Sequence, residues 1–198
     1  AAEINDRGEK CRAMGAEYRI VIIPSKYRIY PEYLPDYLQQ QNSSNPVSAF
    51  VKYMQQNTSV KMLYLLDDLQ SAKKEGVLFR KGDTHWNDRG TYFGYRGIVN
   101  WMKPDYSWMQ PEPRNDFDFK DSLCNTGDLI GQFGLNAVWP SPDVLLKPKK
   151  KSRVAMRLKE NYPCDEDWFA YCYAYEEARM NKADTTLPGL LVFRDSYT

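Results

Sequence analysis

Asp83 and His85 stand two residues apart in the stretch Gly82-Asp83-Thr84-His85-Trp86-Asn87, and His85 is the single histidine of the chain. On an extended backbone, side chains two residues apart leave the same side. A carboxylate so placed accepts a hydrogen bond from one imidazole nitrogen and leaves the other to act as a general base. Such a base serves a nucleophile, and a serine is available in Phe193-Arg194-Asp195-Ser196-Tyr197. The expectation is that these two stretches meet as a serine triad, with Ser196 as nucleophile, His85 as base and Asp83 as orienting carboxylate. Triads are defined by roles and geometry, so their order along the chain is no objection.

Each half needs an element to hold it. Leu190-Leu191-Val192-Phe193 reads as a buried strand that runs straight into Arg194-Asp195-Ser196. A serine at the end of such a strand is rigidly held, and a turn into a helix would lend its backbone N–H to an oxyanion. Asp195 fits the organisation of that turn. On the other side, Val77-Leu78-Phe79 reads as a short strand delivering Asp83 and His85 into a loop. Asn87 or Asp88 then caps a helix of about 14 residues, with Tyr92, Tyr95, Val99 and Met102 on one side. Trp86 stands between loop and helix, as a support or as a substrate contact.

Upstream, residues 3–16 are charged and helix-permissive, and Gly15 is a helix stop. The run Tyr18 to Ile23 is β-branched and apolar, a buried strand ended by Pro24. Helix followed by buried strand is the grammar of an α/β fold. The loop after that strand, where open α/β sheets bind ligands, carries Lys26 and Arg28 as candidate substrate contacts. Ser44-Asn45-Pro46 starts a helix with Val47, Phe50, Val51 and Met54 on one face. Val60 to Leu66 is the next strand, and 67–75 a short helix. Residues 103–125, rich in proline, aspartate and aromatics, are expected to be irregular. A short helix between glycines is expected in 126–135. Residues 139–152 hold Pro140, Pro142, Pro148 and the basic run, and that run, Lys147 to Lys151 with Arg153, is expected to form a solvated loop, with an anion or polysaccharide contact as the other reading. The alternation in Phe169 to Tyr175 predicts a strand with one aromatic face, and 177–188 a connector.

Composition narrows the function classes. A net charge of +1 with both signs mixed gives no electrostatic case for nucleic acid. No run of about 20 apolar residues provides a membrane span. Four cysteines, none in a Cys-x-x-Cys pair, and one histidine exclude the usual mixed zinc sites. They are compatible with two disulfides or with four reduced thiols. No metal or cofactor is expected. Fifteen tyrosines and five tryptophans suit a carbohydrate site as well as a core. With 198 residues, the chain is read as one domain, 1–198.

Four stretches together resemble the SGNH-hydrolase-like domain of the alginate O-acetyltransferases, the AlgJ/AlgX type. They are Pro24-x-Lys26 with Ile29-Tyr30-Pro31-Glu32-Tyr33-Leu34-Pro35; Asp83-Thr84-His85-Trp86-Asn87 entering a helix; Gly127-Asp128-Leu129 with Gly134-Leu135; and Leu187-Pro188 leading to Phe193-Arg194-Asp195-Ser196-Tyr197. The resemblance implies a three-layer α/β/α fold with a mainly parallel sheet. It also implies a chain truncated at its C-terminus, a fragment of something longer. The implied reaction is transfer of an acetyl group through a Ser196 acyl-enzyme onto a hydroxyl of an extracytoplasmic polysaccharide, in the periplasm or at the cell surface. A membrane acyltransferase would supply the acetyl group. The second oxyanion donor stays open among Arg194, Tyr197 and residues after 198, and Arg194 and Tyr197 are also candidate substrate contacts. A carbohydrate acetylesterase with the same triad and a non-enzymatic carbohydrate-binding domain are the alternatives.

Overall fold

A computed structural model describes residues 1–41, 44–124, 127–135, 138–149, 156–157, 179–180 and 188–193. The strand expected in 169–175, Cys164, Cys172, Lys150, Lys151 and Arg153 of the basic run, and Arg194, Asp195, Ser196 and Tyr197 lie outside the described residues. The chain divides into two compact units, residues 1–147 and Pro148–Phe193.

In the first unit, helix α1 (Ala2–Ala13) carries ion pairs between side chains one turn apart, Arg7–Glu3 and Lys10–Asp6. It gives way at Gly15, whose φ of 76° is left-handed. Strand β1 (Arg19–Ile22) then pairs in parallel with β2 (Lys61–Tyr64), Ile20 opposite Met62 and Ile22 opposite Tyr64. A parallel pair needs a crossover, and α4 (Pro46–Asn57) supplies it. Asn45 caps that helix by accepting the Ser48 N–H at 3.1 Å, and Pro46 fits the first turn. Val51 and Met54 are buried against Met62, while Phe50, expected on the same face, is 46% exposed.

The opposite face of β1–β2 is covered by α2 (Lys26–Ile29), α5 (Leu66–Ala72) and α6 (Asp88–Met102). Ile29, Leu65, Leu69, Leu78 and Phe79 are essentially inaccessible there, with Val21, Leu63, Trp86 and Phe93 packed around them. Each such side chain contributes about 1.5–3 kcal/mol on burial. This core lies directly beneath the segment that carries Asp83 and His85.

Two local expectations fail. Residues 103–125 are not irregular throughout, because Phe117–Cys124 forms strand β3. Phe117 and Phe119 both meet the buried ring of Tyr92, at 5.3 and 5.5 Å between centroids. That aromatic contact outweighs the poor strand propensity of Asp118 and Lys120 beside these rings. Beside it, Ser141–Pro148 forms β4, which pairs with β3 and takes in the exposed start of the basic run, Lys147 and Pro148. Its Pro142 is exposed and Val144 buried. Leu190–Phe193, in the second unit, is neither buried nor in a strand; Phe193 is 90% exposed. Four apolar residues make a strand only where another edge bonds to them, and periodicity does not supply that edge.

The second unit contains the short strands β5 (Met156–Arg157) and β6 (Arg179–Met180), paired antiparallel. Helices α3 (Asp36–Gln41) and α7 (Asp128–Gln132) also belong to the first unit.

Candidate active site

The segment carrying Asp83 and His85 is the tip of a tight hairpin. Phe79 and Trp86 form a single antiparallel bridge, Asn87 N–H donates to Leu78 carbonyl at 2.9 Å, and Arg80 N–H to His85 carbonyl at 3.2 Å. The expected strand at 77–79 is therefore one bridge rather than a ladder. Below the hairpin, Asn87 is buried and works in two directions. Its Oδ1 accepts Gly90 N–H at 3.0 Å, which caps α6, and its Nδ2 donates to Val77 carbonyl at 2.9 Å. The Trp86 ring lies on α6 at Gly94, where an added Cβ would stand 2.7 Å from the indole. Trp86 thus fixes the hairpin to the helix, as a support.

At the tip, Asp83 Oδ1 lies 2.6 Å from His85 Nδ1 and also accepts the His85 backbone N–H at 2.9 Å. The carboxyl is buried, which pushes its pKa up. The backbone and ring hydrogen bonds from His85 outweigh that and hold it below its ordinary value. An ionised carboxylate only accepts, so Nδ1 is the protonated nitrogen and Nε2 the basic one.

A second carboxylate was missed by residue-level reasoning. Asp128, the first residue of α7, accepts the Thr84 backbone N–H at 2.7 Å and the Thr84 hydroxyl, and its Oδ2 lies 3.8 Å from His85 Nδ1. The only local signal for it was Gly127-Asp128 ahead of a short helix. Gly127 explains the spacing: a Cβ there would sit 2.3 Å from the Gly82 carbonyl oxygen, so the two segments touch backbone to backbone. Ile130 N–H donates to that same oxygen at 3.1 Å. Donor atoms of Asp83, His85 and Asp128 all lie within 4.8 Å of one another, a span that one cation could bridge. Their hydrogen bonds instead run to each other and to Thr84, the arrangement of an oriented base.

Further anchors come from β4 and α2. Arg80 pairs with buried Asp143 at 3.1 Å, and Asp88 at the start of α6 accepts Leu146 N–H at 2.8 Å. Lys26, expected to meet substrate, turns inward. Its ammonium donates to the carbonyls of Arg80, Lys81 and Asp83 at 2.6, 2.9 and 2.9 Å. Arg28 lies away from this cluster, with Nη1 on Ser44 carbonyl at 3.0 Å. The other expected site residues, Ser196, Arg194 and Tyr197, lie outside the described residues. Cys11, on α1, forms no disulfide. Among the described residues, no helix is long and apolar enough to cross a membrane.

The model of the SGNH hydrolase-like domain of acetyltransferase AlgX matches residues 1–160. The chain belongs to that family. The matched residues include Asp83, His85 and Asp128, and Ser196 falls after them. Among curated relatives, a probable alginate O-acetylase AlgJ of Azotobacter vinelandii is 26% identical over 159 residues, 76% of this chain and 38% of its own length. The chain therefore spans well under half of that relative. In solved structures, the O-acetyltransferase domain of Pseudomonas putida AlgJ superposes with a TM-score of 0.52 at 22% identity, over 76% of this chain and 55% of that one. Bacillus cereus PatB1 gives 0.56 at 17%, over 78% and 53%. These likenesses show an SGNH-like α/β fold for this member of the AlgX family.

Proposed function

We infer that this AlgX-family domain is a serine O-acetyltransferase that acetylates a hydroxyl of an extracytoplasmic polysaccharide. The observation that carries it is the 2.6 Å contact between Asp83 and His85, which leaves His85 Nε2 as the base. The names of the AlgJ relatives supply the reaction class. Ser196 is the nucleophile in this reading, in a three-layer α/β/α domain whose mainly parallel sheet includes the β1–β2 pair.

In the first half-reaction, Ser196 Oγ attacks the acetyl carbonyl as Nε2 takes its proton. The tetrahedral oxyanion collapses, and the leaving group departs with the proton from His85. The acetyl ester on Ser196 is then attacked by a sugar hydroxyl, whose proton passes to Nε2 and on to Ser196 Oγ as the ester breaks. Asp83 stabilises the imidazolium in both halves. Arg194 and Tyr197, next to the nucleophile, fit roles at the oxyanion or the acceptor. A membrane acyltransferase fits as the source of the acetyl group, with the domain in the periplasm or at the cell surface.

The test is to incubate the protein with an activated acetyl ester and a panel of oligosaccharides, following acetyl groups by mass. Acetylated sugar that disappears in Ser196→Ala and in His85→Ala is the expected result. Acetate alone, unaffected by any sugar, would identify an esterase instead. Turnover that survives Ser196→Ala would remove the triad, and sugar binding with no turnover in the parent protein would leave a binding domain.

A further inference from the structure

The carbonyl groups of the hairpin tip converge on one cation. Arg80, Lys81 and Asp83 each accept from Lys26 Nζ, so the three N–H groups of one ammonium meet three backbone acceptors within four residues. The remaining carbonyl of that run, Gly82, faces the other way and accepts Ile130 N–H. Every carbonyl from 80 to 83 is thus committed, and three of the four dipoles point at Lys26. Three carbonyl oxygens crowded together repel one another unless a positive charge stands between them. The hairpin conformation that aims Asp83 and His85 therefore requires a cation where Lys26 stands. One of the three acceptors is the carbonyl of Asp83 itself, whose side chain holds the imidazole.

The geometry points to Lys26 as a positioning residue for the His85 base: from the first turn of α2 its ammonium fixes the backbone of residues 80–83, and with it the Asp83–His85 hydrogen bond. Burial lowers the Lys26 pKa while Asp83 and Asp128 act to raise it, so the carboxylates of the site help to keep this cation charged. Its role in turnover rests on the acetyl-transfer reading above, whereas its role in holding the imidazole does not.

Because His85 is the single histidine, labelling the whole chain with 15N-histidine yields one imidazole spectrum. In the parent protein the Nδ1 proton is expected far downfield and slow to exchange with water. In Lys26→Met it should move upfield and broaden, and kcat for an activated acetyl ester should fall by about 10²-fold, the cost of a base displaced by about 1 Å. KM should stay within about two-fold, because no substrate contact is lost. Lys26→Gln, which keeps polar reach without the charge, carries the same test if the methionine variant does not fold. Addition of propylammonium to Lys26→Ala should restore both the downfield proton and part of kcat. A loss of stability alone would show no such rescue. An unchanged imidazole spectrum with unchanged kcat in the folded variants overturns the proposal. A displaced imidazole signal in a protein whose parent form turns over no ester would sustain the positioning role and reject the acetyl-transfer reading.

Discussion

A single oxygen of Asp83, Oδ1, holds His85 twice, at the ring nitrogen Nδ1 and at the backbone N–H, at 2.6 and 2.9 Å. The two-residue spacing makes this possible: the same acceptor closes a short turn and selects the imidazole tautomer. Orientation and tautomer are therefore one property of the site, and a substitution at Asp83 changes both.

Asp83→Asn keeps the shape and an acceptor for the His85 backbone N–H, but removes the negative charge that stabilises the imidazolium. By analogy with serine triads in general, kcat should fall by about 10³–10⁴-fold with little change in KM. Steady-state hydrolysis of an activated acetyl ester measures it. A loss below about ten-fold would mean that Asp83 does not serve the base.

The same carboxyl sets an acid limit on stability. Its burial acts to raise the pKa, but the His85 hydrogen bonds win and lower it. A carboxylate depressed in the folded state stabilises the fold at pH values above its unfolded pKa, about 3.9, and that contribution is lost as pH falls through the folded value. Urea midpoints of the parent protein should therefore drop more steeply below about pH 4 than those of Asp83→Asn. Parallel curves in that window would contradict the assignment.

Gly127→Ala should be costly for a reason confined to backbone contact. The new Cβ would meet the Gly82 carbonyl oxygen at 2.3 Å, and neither side has a flexible end that can yield. A stability loss of about 1–3 kcal/mol is expected from such overpacking. Activity should fall further than stability, since the displaced residue adjoins Asp83. Denaturation midpoints and turnover measured on one preparation separate the two effects.

Asn87→Ala removes the α6 cap and the donor to Val77 carbonyl, both inside the protein. Cap loss alone costs about 0.5–2 kcal/mol. Asn87→Asp keeps the acceptor for Gly90 N–H and loses the donor, so it should fall between the parent and the alanine variant in thermal melting. An aspartate variant as unstable as the alanine one would show that the Val77 bond, rather than the cap, carries the effect.

Elements governed by neighbours in sequence were legible in advance. Asn45 before Pro46, Asn87 ahead of α6, and the apolar run of β1 all state their structure locally, and the Asp83–His85 pairing follows from two-residue spacing. What was not legible depends on partners far along the chain. Strand β3 owes its existence to Tyr92, twenty-five and twenty-seven positions before Phe117 and Phe119. Asp128 reaches Thr84 across a separation of 44 residues. Lys26 reads as a loop cation that could meet substrate until the hairpin carbonyls are placed around it. A charged side chain looks the same in sequence whether it faces water or a ring of backbone oxygens.

The hairpin tip is tied down by bonds that span 54 to 57 residues to Lys26 and 44 to Asp128. Contacts of such long separation close late in folding, after the local turns of α4 and α6 have formed, because chain entropy must be surrendered before they give anything back. The same ties should be among the first released under mild denaturant. Catalytic competence would then be a separate, more fragile transition than loss of helix, and turnover would vanish at urea concentrations where the far-ultraviolet spectrum is still native.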